Sequence, residues 1–325
     1  MYRTHGARVA LFCALTLLYA GTHVAAQDYP TKPIRMLVGF PPGGGVDTLA
    51  RLFGPRLAEQ LGQPVVIDNR TGAGGNIAYE LLARSPGDGH TLLLTTPTVT
   101  VNPALYKKLG YDPIRDFAPV ALVATGVYVL VVHPSLPVHS VKDLVALVKA
   151  KPGQLNYSSS GNGGAGHLAG ALFATAMGMN VVHVPYKGIP AAIISVLTGE
   201  TQFALASTAS IMTHMTSGRL RALAVTSLKR SPFLPKIPSM AEAGVPNYET
   251  TAWYGILAPS ETPRANITKL NSELIKTFNL PEIKSALARE NFSVDTTSPE
   301  EFGALLKNEM IKWQKVVKET GMKVD

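Results

Sequence analysis

Short β-branched runs alternate with amphipathic stretches along this chain, and the alternation occurs twice. The first series reads strand at 34–40, helix at 48–61, strand at 64–68, a helix after Gly75, strand at 91–95 and an apolar run at 120–124. The second begins after His133-Pro134. It reads helix 141–149, strand 155–158, helix 166–177, strand 181–184, helix 191–197, and strands 202–206 and 220–226. Parallel strands need long crossovers that are usually helical, so this order predicts an α/β fold with two lobes. Each lobe is expected to be a doubly wound sheet with helices on both faces.

Two apolar segments, 126–133 and 250–258, flank the second series and are long enough to cross between lobes. Beyond them the chain turns helical, at 264–278, 281–290 and 299–319. The lobes are therefore expected to be discontinuous: residues 27–127 open lobe 1, residues 128–250 form lobe 2, and residues 251–325 return to lobe 1. The two crossing strands would act as the hinge.

Residues 1–26 have the pattern of an export signal cleaved after Ala26. Arg3 and Arg8 precede an apolar run from Val9 to Tyr19, and the segment ends Val24-Ala25-Ala26. Cys13 is the only cysteine and lies in that segment, so the exported chain would hold no disulfide and no thiolate-bound metal. Without Arg3 and Arg8 the 30 basic side chains become 28 against 22 acidic ones, a net charge of +6. These charges are scattered, with no basic run of five, which argues against nucleic acid and leaves a mild attraction for anions.

In open α/β sheets the ligand crevice lies at the carboxyl ends of strands. Four glycine-bearing junctions fall there. The first, 40–47, contains Phe40, Pro42, Gly43, Gly44 and Asp47, and its glycines let backbone amides approach an anion at a helix start. Asp47 is expected to orient that loop, since a carboxylate repels an anionic ligand. The second, 68–76, contributes Gly74 and Gly75. The third, 157–167, carries Ser159, Ser160, Asn162 and His167, and the fourth, 183–188, offers Lys187. Thr96 and Ser207 complete the expected ligand-binding set.

No cofactor or metal is expected. Gly161, Gly163 and Gly166 satisfy G-x-G-x-x-G, but the acidic residue required some twenty positions on is absent, Glu200 being the first carboxylate after the motif. No G-x-S-x-G elbow, H-E-x-x-H pair or Walker A lysine occurs. A secreted serine hydrolase using Ser159 or Ser160 with His167 is the enzymatic alternative to a binding protein. Binding of the same ligand as an adaptor for a membrane sensor kinase is another.

Taken in order, several segments resemble the Bug-type solute receptors of tripartite tricarboxylate transporters. They include Tyr29-Pro30-Thr31-Lys32-Pro33, Pro41-Pro42-Gly43-Gly44 with Asp47, and Asn69-Arg70 with Gly72-Ala73-Gly74-Gly75-Asn76. Later come Ser159-Ser160-Gly161 with His167, Val184-Pro185-Tyr186-Lys187-Gly188, residues 218–226 and Trp253-Tyr254-Gly255. The resemblance implies a periplasmic Venus-flytrap receptor, monomeric, whose lobes close on one small organic carboxylate, a mono- or dicarboxylate. It also implies large and small integral membrane subunits as partners. Family members commonly carry Gly at Ser158, Asp at Ser195 and Asp-Asn at Ala206-Ser207. Loss of the acid at Ala206 argues against amino-acid cargo.

Overall fold

The structure, a computed structural model, describes residues 29–246 and 248–320. The export signal expected at 1–26 lies outside the described residues. No described helix is long and apolar enough to cross a membrane.

Strands β1 (Ile34–Val38), β2 (Val65–Asn69) and β3 (Thr91–Thr95) form a parallel set with β1 in the middle. Strand β9 (Thr251–Pro259) adds antiparallel to β3, and the 16-residue β4 (Phe117–Val132) adds antiparallel to β9. Successive side chains of a strand face opposite ways, so both faces need cover. Ile34, Met36 and Val38 face α1 (Gly45–Leu61), whose Leu49, Phe53 and Leu57 lie four residues apart on one stripe. Helices α8 (Arg264–Asn279) and α9 (Pro281–Arg289) complete that face through Leu270, Leu274 and Ile283. Leu37 and Leu93 face the other way, toward α2 (Asn76–Ala83) and α10 (Pro299–Thr320). Helix α1 stops at Gly62, which takes the left-handed conformation (φ 67°) that favours glycine.

Beyond Val127, β4 leaves these partners and pairs antiparallel with β7 (Phe203–Ser207) and β8 (Arg221–Val225). Strands β5 (Asn156–Ser159) and β6 (Val182–Pro185) continue that second sheet in parallel. Helices α4 (Val141–Ala150) and α5 (Ala165–Ala176) cover one face through Leu144, Val148 and Phe173. Helices α6 (Ile189–Leu197) and α7 (Thr208–Thr216) cover the other with Ile193, Val196 and Ile211. Among the described residues ten strands thus form one curled sheet that serves two lobes, with β4 running through both.

Two details differ from the sequence expectation. The apolar runs at 120–124 and 126–133 are a single strand, which absorbs its irregularity as register shifts between Pro119 and Ala121 and between Leu122 and Ala124. The second crossing is not a strand at all, because β9 begins only at Thr251 and pairs entirely with β3 and β4. The chain instead crosses at Thr250, whose N–H donates to the Thr226 carbonyl at 3.1 Å. The Thr226 hydroxyl donates to the Thr250 carbonyl (2.7 Å) and accepts from the Tyr128 N–H (3.0 Å), so one buried side chain ties both crossings together.

A third contact joins the lobes at one side of the cleft. Leu168 of α5 packs with Trp313 and Val317 of α10 and with Val101 and Leu105 of α3 (Thr98–Leu105), forming a separate apolar cluster. Nearby, the Tyr106 hydroxyl donates to the Asn162 carbonyl across the cleft at 3.2 Å.

Candidate functional site

The first glycine junction is organised by Asp47. Its buried carboxylate accepts from the Gly43 N–H (3.0 Å), from Asn69 Nδ2 (3.0 Å) and from Arg51 Nε (2.9 Å). Burial works against the charge of Asp47, but the hydrogen bonds from Arg51, the Gly43 amide and Asn69 outweigh it and hold the carboxyl below its usual range. The loop is thereby fixed, and the start of α1 is left pointing between the lobes. The first amides of a helix have no partner within it, and they carry the positive end of its dipole.

Two adjoining cavities open between the lobes. The inner one is narrow, with about 70 Å³ open to the centre of a water-sized sphere. Its wall includes Gly44, Gly45 and Val46 from the start of α1, Ala165 and Gly166 from α5, Ile189 from α6 and Ser207 at the cap of α7. Four helix N-termini therefore meet at one space. The rest of the wall is neutral as well, from Phe40 and Thr96 to Tyr128, Ser160 and Tyr254, and no charged side chain among the described residues lines it. An anion placed there would meet amide donors and hydroxyls with no carboxylate to repel it. The outer cavity is bounded by Gly74, Gly75, Ser160, Asn162, Tyr186 and Lys187, among others.

The cleft is narrow at its glycines. A Cβ on Gly74 (φ 63°) would lie 2.8 Å from the Asn162 carbonyl oxygen of the opposite lobe, and one on Gly188 (φ 106°) would lie 2.5 Å from the Pro41 ring. Both positions combine a left-handed backbone with a close approach, which only glycine tolerates together.

The sequence of residues 49–322 matches the tripartite tricarboxylate transporter family receptor, TctC. The chain belongs to this family. Protein BugT of Bordetella pertussis is 35% identical over 303 residues, covering 93% of either chain. Among solved structures, an R. palustris protein with adipate is 36% identical with a TM-score of 0.88, covering 91% of this chain and 100% of that one. MatC from Rhodopseudomonas palustris, with bound malate, is 28% identical with a TM-score of 0.85, covering 89% of this chain and 100% of its own. This TctC receptor is a two-lobed solute-binding protein and not an enzyme.

Of the residues singled out in the sequence, Phe40, Gly44, Thr96, Ser160 and Ser207 line the inner cavity of the receptor. Gly74, Gly75, Asn162 and Lys187 line the outer one, which Phe40 and Ser160 share. Pro42, Gly43, Asp47, Ser159 and His167 line neither. The Gly43 amide is engaged by Asp47, and the Gly75 amide donates to the Gly72 carbonyl at 2.9 Å. Ser159 is fully buried, with its hydroxyl 2.7 Å from His183 Nε2. His167 accepts the Gly163 N–H at Nδ1 (3.1 Å) and stacks on His183, with ring centroids 3.9 Å apart. Burial pushes His167 down to about 4, and burial with the neighbouring His167 pushes His183 down to about 3. Rings held neutral this firmly are weak bases, and the pair is a packed support beneath the third junction.

Sequence reasoning missed Tyr128 and Tyr254 as cavity residues, although both stood in the segments chosen as crossings. It also missed His183 as a partner of Ser159, although His183 opens the fourth junction. Pro41 and Gly45 belong to the first junction already selected, and Ile189 follows the fourth.

Proposed function

We propose that this receptor works in the periplasm as a monomer, captures one small organic carboxylate between its lobes, and delivers it to a membrane permease of large and small subunits. The observation that carries the proposal is the meeting of four helix N-termini at a cavity lined without charge. Such a site recognises an anion by fixed dipoles and amides and asks for no countercharge in the protein. The relatives solved with adipate and with malate, both dicarboxylates, support a small organic carboxylate as cargo.

In this proposal the signal at 1–26 is removed after Ala26, residues 27–127 and 251–325 make lobe 1, and residues 128–250 make lobe 2. The ligand-facing residues are those of the two cavities. Pro42, Gly43, Asp47, Ser159 and His167 act behind them by fixing the loops. Arg51 belongs to the same supporting layer, since its guanidinium is spent on Asp47 and Asn69.

The test is a thermal-shift screen of the mature protein with C4 to C6 mono- and dicarboxylates, followed by calorimetry on the hits. A bound ligand is expected to raise stability with the logarithm of its concentration above the dissociation constant. Recovery of a chemically altered ligand, or no stabilisation by any carboxylate, would refute the proposal.

A further inference from the structure

Asn162-Gly163 is the only Asn-Gly pair in the sequence. It lies in the turn between β5 and α5, closed by the Gly164 N–H donating to the Gly161 carbonyl at 3.1 Å, and Asn162 lines the outer cavity. An asparagine side chain is always near the backbone nitrogen that follows it, and the two can close a ring. A glycine at the next position removes the Cβ that would obstruct that approach.

The surroundings of this pair favour the reaction. Asn162 is half-buried, and its side chain makes no hydrogen bond among the described residues, so nothing holds its amide away from the backbone. Other asparagines are tied: Asn69 and Asn271 donate to carbonyls, and Asn76 and Asn102 bond each other. The peptide joining Asn162 to Gly163 is engaged on both sides. Its carbonyl accepts the Tyr106 hydroxyl from the opposite lobe (3.2 Å), and its N–H donates to His167 Nδ1 (3.1 Å). A donor on the oxygen stabilises the negative charge that spreads there as the nitrogen gives up its proton, and a neutral imidazole can receive that proton.

We infer that Asn162 is a modification site, at which the Gly163 nitrogen converts the side-chain amide to a carboxylate and so weakens the hold of the cleft on an anionic cargo. The loss of affinity rests on the carboxylate proposal above, whereas the conversion does not. Gly163 N attacks Asn162 Cγ, and the new N–Cγ bond closes a succinimide ring as the Cγ–Nδ2 bond breaks. The Gly163 proton passes to His167 Nδ1 and on to the departing nitrogen, which leaves as ammonia. Water then opens the ring at either carbonyl, giving aspartate or isoaspartate. The sum is amide plus water to acid plus ammonia, with nothing oxidised or reduced. His167 is a weak base, so the change is slow beside a binding event and records the age of the molecule. The new carboxylate faces the same cavity as Lys187, the one charged side chain among the described residues lining it, and offsets that cation. Isoaspartate also lengthens the backbone where lobe 2 meets Gly74 and Tyr106.

The experiment ages the mature protein for weeks at neutral pH and maps the conversion of every asparagine by peptide mass spectrometry, with Y106F aged in parallel. Asn162 is expected to convert at least about tenfold faster than any other asparagine, and Y106F to convert about threefold more slowly there than wild type. The variant N162D reproduces one product directly. Once thermal unfolding shows that it folds, calorimetry should find adipate bound at least about fivefold more weakly than by fresh wild type. Conversion no faster at Asn162 than elsewhere, an undiminished rate in Y106F, or full adipate affinity in N162D overturns the inference and leaves the carboxylate proposal standing. A wild type that binds no carboxylate refutes that proposal and with it the loss of affinity, while the mass map still decides the conversion.

Discussion

Replacing Gly74 with alanine separates two costs that usually arrive together. The residue sits at φ 63°, and a non-glycine residue there costs about 1 to 2 kcal/mol wherever the lobes stand. That part lowers stability and leaves ligand affinity alone. The second part arises across the cleft, where the new Cβ would lie 2.8 Å from the Asn162 carbonyl oxygen. Relieving it to ordinary contact requires the lobes to separate locally by about 0.6 Å, which stretches the Tyr106 to Asn162 hydrogen bond beyond its present 3.2 Å. Loss of one such bond with some residual overlap amounts to about 1.4 kcal/mol of the closed state, or about tenfold in affinity. Gly62→Ala supplies the control, because Gly62 has φ 67° with nothing within 4 Å of its Cβ position. Denaturant unfolding should report similar destabilisation in both variants, and calorimetry should report weakened binding only in Gly74→Ala. Equal, undiminished affinity in the two would refute the view that closure needs the close approach at Gly74.

Three further outcomes are expected. Asp47→Ala should weaken binding about tenfold, because the Gly43 amide, Asn69 and Arg51 all lose their acceptor, whereas Arg51→Ala should do less; the reverse order in calorimetry would mean that a guanidinium holds the cargo. Acidification should erode stability between pH 6.5 and about 4. Above that window His167 and His183 are neutral both folded and unfolded, and within it the unfolded chain takes up protons that the native rings refuse. The slope is at most about 1.36 kcal/mol per pH unit for each ring, and urea unfolding at pH 7, 6 and 5 that gives a flat profile would contradict the buried neutral pair. Leu168→Ala should lower affinity about threefold or more without touching the cavity, by removing apolar contact between α5 and α10, and small-angle scattering should show a larger unliganded radius. An unchanged radius and affinity would confine that cluster to a role in stability.

Much of the architecture was written in local patterns. Alternating strands and helices with glycine at the junctions were enough to place the two lobes and the ends of the strands where a ligand sits. Helices α3 and α7 escaped for a physical reason. Thr98, Val99, Thr100 and Val101 are β-branched and are all buried in α3, so no polar face gives the 3.6-residue period away. Helix α7 is hidden similarly by Thr208, Thr213 and Thr216 and by a mixed composition. The long β4 was read as two runs because Gly126 interrupts the apolar pattern, and the partner that continues the strand there, Ala252 of β9, lies far along the chain. The glycine loops announced themselves, but which of their amides remain free did not, since Gly43 is claimed by Asp47 and Gly75 by Gly72. Tyr128 and Tyr254 look like ordinary strand tyrosines until the lobes are brought together.

The apolar cluster formed by Leu168, Val101, Leu105, Trp313 and Val317 lies at one side of the cleft and shares no residue with the inner cavity. Under the function proposed above, how long a cargo stays and which cargo is chosen would be governed by different parts of the surface. A lineage could lengthen or shorten retention by trading a leucine for a methionine or valine beside Trp313, while every group that inspects the ligand remained as it was. If the proposed delivery to a membrane permease holds, that separation would let release be adjusted without making recognition any less selective.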